Sequence, residues 1–174
     1  MNQRTEDPRA GEVEIAPCRG RRGVYRLRTS LVLPAPIDEV FAFFSDAYKL
    51  ERITPPWLRF EVWPPGPGET GPGCLIDYKL RLHGIPIRWR SEIATWEPPH
   101  RFVDRQVRGP YRLWHHEHVF EPRGSGTLCQ DEVHYAVPGG RLIHWLLVKR
   151  DVRRIFEYRQ EQLLALFPSK PRER

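Results

Sequence analysis

Apolar residues recur at steps of three and four over one long stretch only, Gly140 to Phe167, which reads GRLIHWLLVKRDVRRIFEYRQEQLLALF. Leu142, Trp145, Leu146, Val152, Ile155, Phe156, Leu163, Leu166 and Phe167 make up the apolar set. Lys149, Arg150, Arg153, Arg154, Glu157 and Glu161 fall mostly on the other side. The period predicts an amphipathic helix, with breakers at both ends: Pro138-Gly139-Gly140 before it and Pro168 after it. At 1.5 Å per residue it would be about 40 Å long. A helix with that much apolar surface needs a concave partner.

Upstream, the period changes from helical to alternating. Gly23 to Leu33 alternates as a first strand, and Pro34-Ala35-Pro36 stops it. Pro36 suits the start of a helix to about Ser45, with Asp38 and Glu39 favouring its dipole. Asp46 can cap a second short helix through Ile53, ended by Pro55-Pro56. Strands are then expected at Trp57–Trp63, Cys74–Leu82, Ile85–Ile93, Arg101–Arg108, Tyr111–Glu121 and Thr127–Val137. His83-Gly84 reads as a hairpin turn, and PPGPGETGPG at 64–73 as a stiff turn or a rim element. Meander strands with short connections pair antiparallel, so the order predicts an α+β helix-grip fold: a bent antiparallel sheet of six to seven strands around a long C-terminal helix, with two short helices after the first strand.

Composition narrows the class. The chain has 174 residues, 40% hydrophobic and 29% charged, which suits one soluble domain. Residues 1–22 are Arg-, Glu- and Gly-rich and read as a disordered arm, 23–168 as the domain and 169–174 as a tail. No apolar run approaches a membrane span, and no signal-peptide core is visible. Three widely spaced cysteines without a CxxC point away from disulfides and towards a reducing cytoplasm. The net charge of +6 is concentrated before the first strand and on the last helix. A solvated face explains it better than nucleic acid, for which no motif is present, although the basic helix face leaves a partner- or membrane-surface role open.

The order of elements, and LVLPAPIDEVFAFFSDAYKLERITPPWL in particular, resembles the START-like or Bet v 1-like superfamily, also called SRPBCC. Pro34, Ala35, Val40, Phe41, Phe44, Asp46, Leu50, Ile53 and Pro55 carry the likeness. The segments GCLIDYKLRLHGIPIRWRSEI, RFVDRQVRGPYRLWHHEHVFEP and GTLCQDEVHYAVP resemble its bacterial ligand-binding branch, which includes polyketide cyclase/dehydrase and coenzyme Q-binding members. The resemblance implies a cavity between sheet and last helix that takes a lipid, sterol, quinone or polyketide. It does not by itself choose among these.

The cavity can also be read from residues alone. If Trp114, His116, His118 and Phe120 share one strand face, the neighbouring strands add Asp104, Gln106, Asp131 and Tyr135, joined by Tyr78, Trp89 and Ser91. Val103, Arg105 and Val107, or Leu113, His115, Glu117 and Val119, would face inward after a slip of one residue. Unpaired buried polar groups cost about 1–3 kcal/mol each, so these either pair or line a hollow. The expected ligand site is Tyr78, Trp89, Ser91, Asp104, Gln106, Trp114, His116, His118, Asp131 and Tyr135, roofed by Leu142, Trp145 and Phe156. The expected occupant is a small, largely apolar molecule with a polar end. An alternative is a cyclase or dehydrase using Asp104 and His116 as an acid–base pair. His116 and His118 alone share a face in HHEH, so no metal site or cofactor is expected.

Overall fold

A computed structural model of the protein describes residues 9–63 and 70–169. Eight antiparallel strands are found among these residues: Glu14–Pro17 (β1), Val24–Leu33 (β2), Glu61–Val62 (β3), Leu75–Leu82 (β4), Ile85–Glu97 (β5), Arg101–Arg108 (β6), Leu113–Arg123 (β7) and Gly126–Ala136 (β8). They form one sheet in the order β1-β2-β8-β7-β6-β5-β4-β3. Helices Ile37–Phe44 (α1) and Leu50–Ile53 (α2) follow β2. The C-terminal helix runs as Gly140–Ile143 (α3), a π turn at His144–Val148, and Lys149–Leu166 (α4). The α+β helix grip is as expected.

Local chemistry accounts for most of these boundaries. The acidic first turn of α1 carries Asp38 and Glu39, and the carboxylate of Asp46 accepts from the Tyr48 amide at 3.0 Å to start the turn before α2. His83 and Gly84 both have positive φ, the geometry a two-residue hairpin loop needs to match strand twist. Register shifts at Arg90/Ser91 and Ile93/Thr95 mark bulges in β5, and bulges bend a sheet. Gly126 is needed where β8 crosses β2, since a Cβ there would lie 2.5 Å from the Leu33 carbonyl oxygen.

Three expectations are corrected. First, the arm does not lie outside the fold over its described part. β1 pairs with β2, Ala10 bridges Leu31, and Val13 is buried. Residues 1–8, 64–69 and 170–174, including most of the Pro/Gly loop and the tail, lie outside the described residues. Second, Trp57–Trp63 is mostly not a strand. Pro56–Leu58 forms a 3-10 turn that ends on Arg59 in the left-handed region, leaving only Glu61–Val62 to pair. Third, the apolar stripe of the C-terminal helix breaks at the π turn. Leu142, Trp145 and Leu146 are 65%, 70% and 51% exposed, whereas His144 is 4% exposed. A π turn inserts one extra residue, which at about 100° per residue rotates everything before it off the buried stripe. Beyond it, Val152, Phe156, Gln160 and Leu163 are buried.

The core has two apolar parts. One lies under α1 and the end of α4, where Phe41 meets Phe120 and Phe102 edge-on. The other surrounds Leu27, Val133, Tyr135, Val152 and Phe156. The groups near their boundary are polar.

Candidate functional site

Register brings the polar groups together. Thr29 on β2 pairs with Asp131 on β8, Asp131 with His118 on β7, and His116 with Asp104 on β6. Both histidines are buried, which fixes the strand phase with Trp114, His116, His118 and Phe120 on the concave side. Bulky Trp114 and Phe120 at either end of HHEH are what make a slip of one residue unfavourable.

The four central groups alternate acid and imidazole. Asp131 Oδ1 lies 2.9 Å from Nε2 of His116 and 2.8 Å from Nδ1 of His118. The second contact is out of line for a hydrogen bond, and His118 Nδ1 has no other partner among the described residues. Asp104 Oδ2 lies 3.1 Å from His118 Nε2 and 3.6 Å from His116 Nδ1. The pairing is therefore Asp104 with His118 and Asp131 with His116, rather than Asp104 with His116 as expected. Burial, opposed by the bond to Asp131, holds His116 below the usual imidazole range. Burial also opposes charge on His118, but its two carboxylate neighbours outweigh that and raise it. Asp131 sits well below the usual carboxylate range: burial works against ionisation, and Arg159 and the two histidines overcome it. The same balance, led by burial and reversed by the His118 bond, lowers Asp104. These directions describe two carboxylates, one neutral imidazole and one imidazole favoured as a cation.

A cavity of about 190 Å³ opens beside this cluster, between the sheet, α2 and α4. At ~30 Å³ per water molecule it holds about six waters' volume. Of the expected residues, Tyr78, Trp89, Ser91, Asp104, Trp114, His116 and His118 line it. Trp89 stands edge-on to Trp114 at 5.3 Å and its Nε1–H donates to Ser91 Oγ at 3.0 Å. Tyr111 completes the aromatic wall, 4.7 Å from Trp114.

The other expected residues lie elsewhere. The Gln106 side chain is occupied with the Tyr111 backbone, donating to its carbonyl at 2.7 Å and accepting from its amide at 3.2 Å. Gly109 permits this, because a Cβ there would lie 2.2 Å from Gln106 Oε1. Asp131 stands behind the histidines. Phe156 packs edge-on to His116 at 5.6 Å. Tyr135 is fully buried and its hydroxyl pairs with His144 Nε2 at 2.9 Å. Leu142 and Trp145 do not roof the cavity but border a surface groove with Arg21, Arg22 and Lys149.

Arg159 is not among the expected site residues. It lines the cavity from α4. The signal was present, since Arg159 is three residues after Phe156 and four before Leu163 and so shares their face. In a run of exposed arginines it passes as another solvated cation.

Asp104, His116 and His118 place one ligand atom each within 4.8 Å of one another, a donor set that suits a divalent cation. In the observed geometry the imidazole nitrogens of this set face the carboxylates of Asp104 and Asp131.

The fold is shared with solved structures of low sequence identity. Protein CV1439 from Chromobacterium violaceum superposes with a TM-score of 0.67 at 15% identity, covering 83% of this chain and 98% of that one. A START superfamily protein from Mycobacterium smegmatis gives 0.63 at 12% identity, covering 81% and 98%. Ginseng major latex-like protein 151 from Panax ginseng gives 0.62 at 12% identity, covering 84% and 99%. No curated protein matches the sequence. No helix among the described residues is long and apolar enough to cross a membrane. Residues 33–161, well over half of the chain, match the family described as polyketide cyclase / dehydrase and lipid transport, and the protein belongs to that family within the START-like, Bet v 1-like fold.

Proposed function

We propose that the protein binds a small, largely apolar molecule with one polar end in the cavity between sheet and helix, and carries or sequesters it in the cytoplasm. The observation that supports this most is the division of the cavity wall. Tyr78, Trp89, Phe102, Tyr111 and Trp114 offer aromatic surface on one part, and Asp104, His116 and His118 offer charge and hydrogen bonds on another. A pocket that is mostly apolar with a few convergent polar groups is the usual form of a small-molecule site. The volume of about 190 Å³ suits a compact aromatic or short-chain molecule better than a diacyl lipid. Native mass spectrometry of protein purified from its own host should show a retained species of low mass. Trp114→Ala should weaken its binding by about 1–3 kcal/mol, the scale for a large buried apolar side chain. Retention undiminished by that substitution would remove the cavity as the site.

One observation favours a second reading. Asp104 Oδ2 lies within 3.6 Å of both imidazoles, so a proton can be held at either side of a bound carbonyl. A cyclase or dehydrase using that arrangement would lose turnover in both His116→Ala and Asp104→Asn while still binding. Binding lost together with turnover would leave only the binding role.

A further inference from the structure

We infer that Arg159 makes the cavity a receptor for one carboxylate, so that the ligand is a small monocarboxylic acid with an apolar, preferably aromatic, body. This rests on the binding role proposed above and specifies its ligand class. Nε and Nη2 of Arg159 are shut off from solvent and meet no hydrogen-bond acceptor among the described residues. The guanidinium lies over the Phe44 ring, 5.1 Å from its centroid. Desolvated guanidinium hydrogens without an acceptor are costly, and Nε with Nη2 is one edge of the fork that carboxylates bind side-on. The two nearby acids do not take this role: Asp104 and Asp131 feel Arg159 electrostatically, but their closest contacts are to the histidines.

The same acids restrict the ligand's charge. A doubly charged phosphate beside Asp104 and Asp131 would meet two like charges, whereas a carboxylate brings a single one. The apolar body then lies against the edge-to-face pair Trp89 and Trp114, which favours an aromatic ring in the remaining space.

Phenylpropionate and phenylpropanol test this, since they share a body and differ in the head. Calorimetric titration should show the acid binding more tightly than the alcohol. Arg159→Gln should weaken the acid by about tenfold to a hundredfold, the range for a lost charge-assisted hydrogen bond, and leave the alcohol nearly unchanged. Arg159→Lys should retain part of the acid's affinity, and the thermal transition of each variant reports whether it folds. Equal binding of acid and alcohol, both indifferent to Arg159→Gln, would overturn the carboxylate assignment and keep the cavity as a binding site. No binding of either compound to the unaltered protein would overturn both.

A separate observation concerns the outside of the C-terminal helix. The geometry points to the segment Gly140–Arg150 as a docking face for an anionic bilayer. Leu142, Ile143, Trp145, Leu146 and Leu147 are all substantially exposed along it. Arg141, Lys149 and Arg150 flank them, and the segment contains no acidic residue. The adjoining groove brings Arg21 and Arg22 to the same side. Exposed Leu and Trp beside a basic rim match the boundary between acyl chains and anionic headgroups, where a protein partner would need a matching acidic rim around an apolar centre.

Co-sedimentation should show binding to phosphatidylglycerol-rich vesicles that falls at high salt and is weak with phosphatidylcholine alone. Trp145→Ala combined with Leu146→Ser should reduce it by about tenfold, since each removes buried apolar area at the interface. Unaltered vesicle binding in the double variant would overturn the assignment. So would concentration-dependent dimerisation that the double variant abolishes, without any vesicle binding, because the face would then serve a second copy.

Discussion

The two parts of the C-terminal helix have opposite fates, and it is the more apolar part, GRLIHWLLV, whose large side chains face out. In Lys149–Leu166, Val152, Phe156 and Leu163 are buried against the sheet. In Gly140–Leu147 the large apolar residues face out, and the one fully buried side chain is His144. His144 stacks on Tyr25 with ring centroids 3.3 Å apart and shares a hydrogen bond with the Tyr135 hydroxyl. Burial pushes its pKa down to about 4, which favours the neutral ring. Apolar periodicity establishes that a helix forms. The hydrogen-bond register decides which residues of it are inside.

The largest contrast should come from placing the same charge in each part. Phe156→Asp should cost about 4 kcal/mol or more, enough to abolish a cooperative melt, because an unpaired carboxylate would be set among Val152, Val133 and Tyr135. Leu146→Asp should stay within about 0.5 kcal/mol. Comparable melting of the two variants would put the π turn in the wrong place.

Next comes the polar cluster that the buried part covers. Asp131→Asn should cost about 3 kcal/mol near neutrality, since it removes the shared partner of two buried imidazoles. Asp131 has a lowered pKa when folded, so its contribution is present above its ordinary value of 3.8 and lost as pH falls through the folded value. His118 is raised, so its contribution is present below 6.5 and lost as pH climbs through the folded value. His116 is lowered and opposes His118, its share being present above 6.5 and lost on acidification. Denaturant unfolding across pH should show a flatter acid limb in Asp131→Asn than in the unaltered protein. An unchanged acid limb would remove Asp131 from the account.

Deleting Leu147 should convert the π turn to an α turn and carry His144 out of its slot. Loss of the Tyr135 bond and the Tyr25 stack should then cost about 1–3 kcal/mol, read as a lower melting temperature. A comparably small effect belongs to Arg153→Ala. Its ion pair with Glu12 spans 3.6 Å at the surface, and such pairs contribute about 0–1 kcal/mol.

Much of this was legible because bulky residues mark strand faces. Trp114 and Phe120 fixed the orientation of the histidines between them, and Asp104 followed from the adjacent strand. Other features leave weak marks. β1 has four residues, and Val13 and Ile15 give too short an alternation to stand out from their charged neighbours. The left-handed turn at Arg59 carries no glycine to announce it. The π turn has no composition of its own, so Leu142 and Trp145 were assigned to the cavity by a period that the backbone interrupts. Arg159 and Gln160 share the buried stripe, but a polar residue there is visible only once its partners are known. Gln160 Nε2 reaches the Gly11 carbonyl at 2.9 Å and Thr29 Oγ1 at 2.6 Å, groups that come from the distant N-terminal part of the chain.

The open sheet has two outer strands, and both are too short to template another copy. β1 has four residues and ends at Pro17, which has no amide hydrogen to offer. β3 has two residues, and the Trp63 that follows is covered by Lys79 at 3.3 Å and Arg88 at 4.8 Å. Charge and brevity at a sheet margin discourage strand-to-strand addition. Raising the concentration of this protein should therefore not drive it towards fibrous, β-rich aggregates by sheet extension.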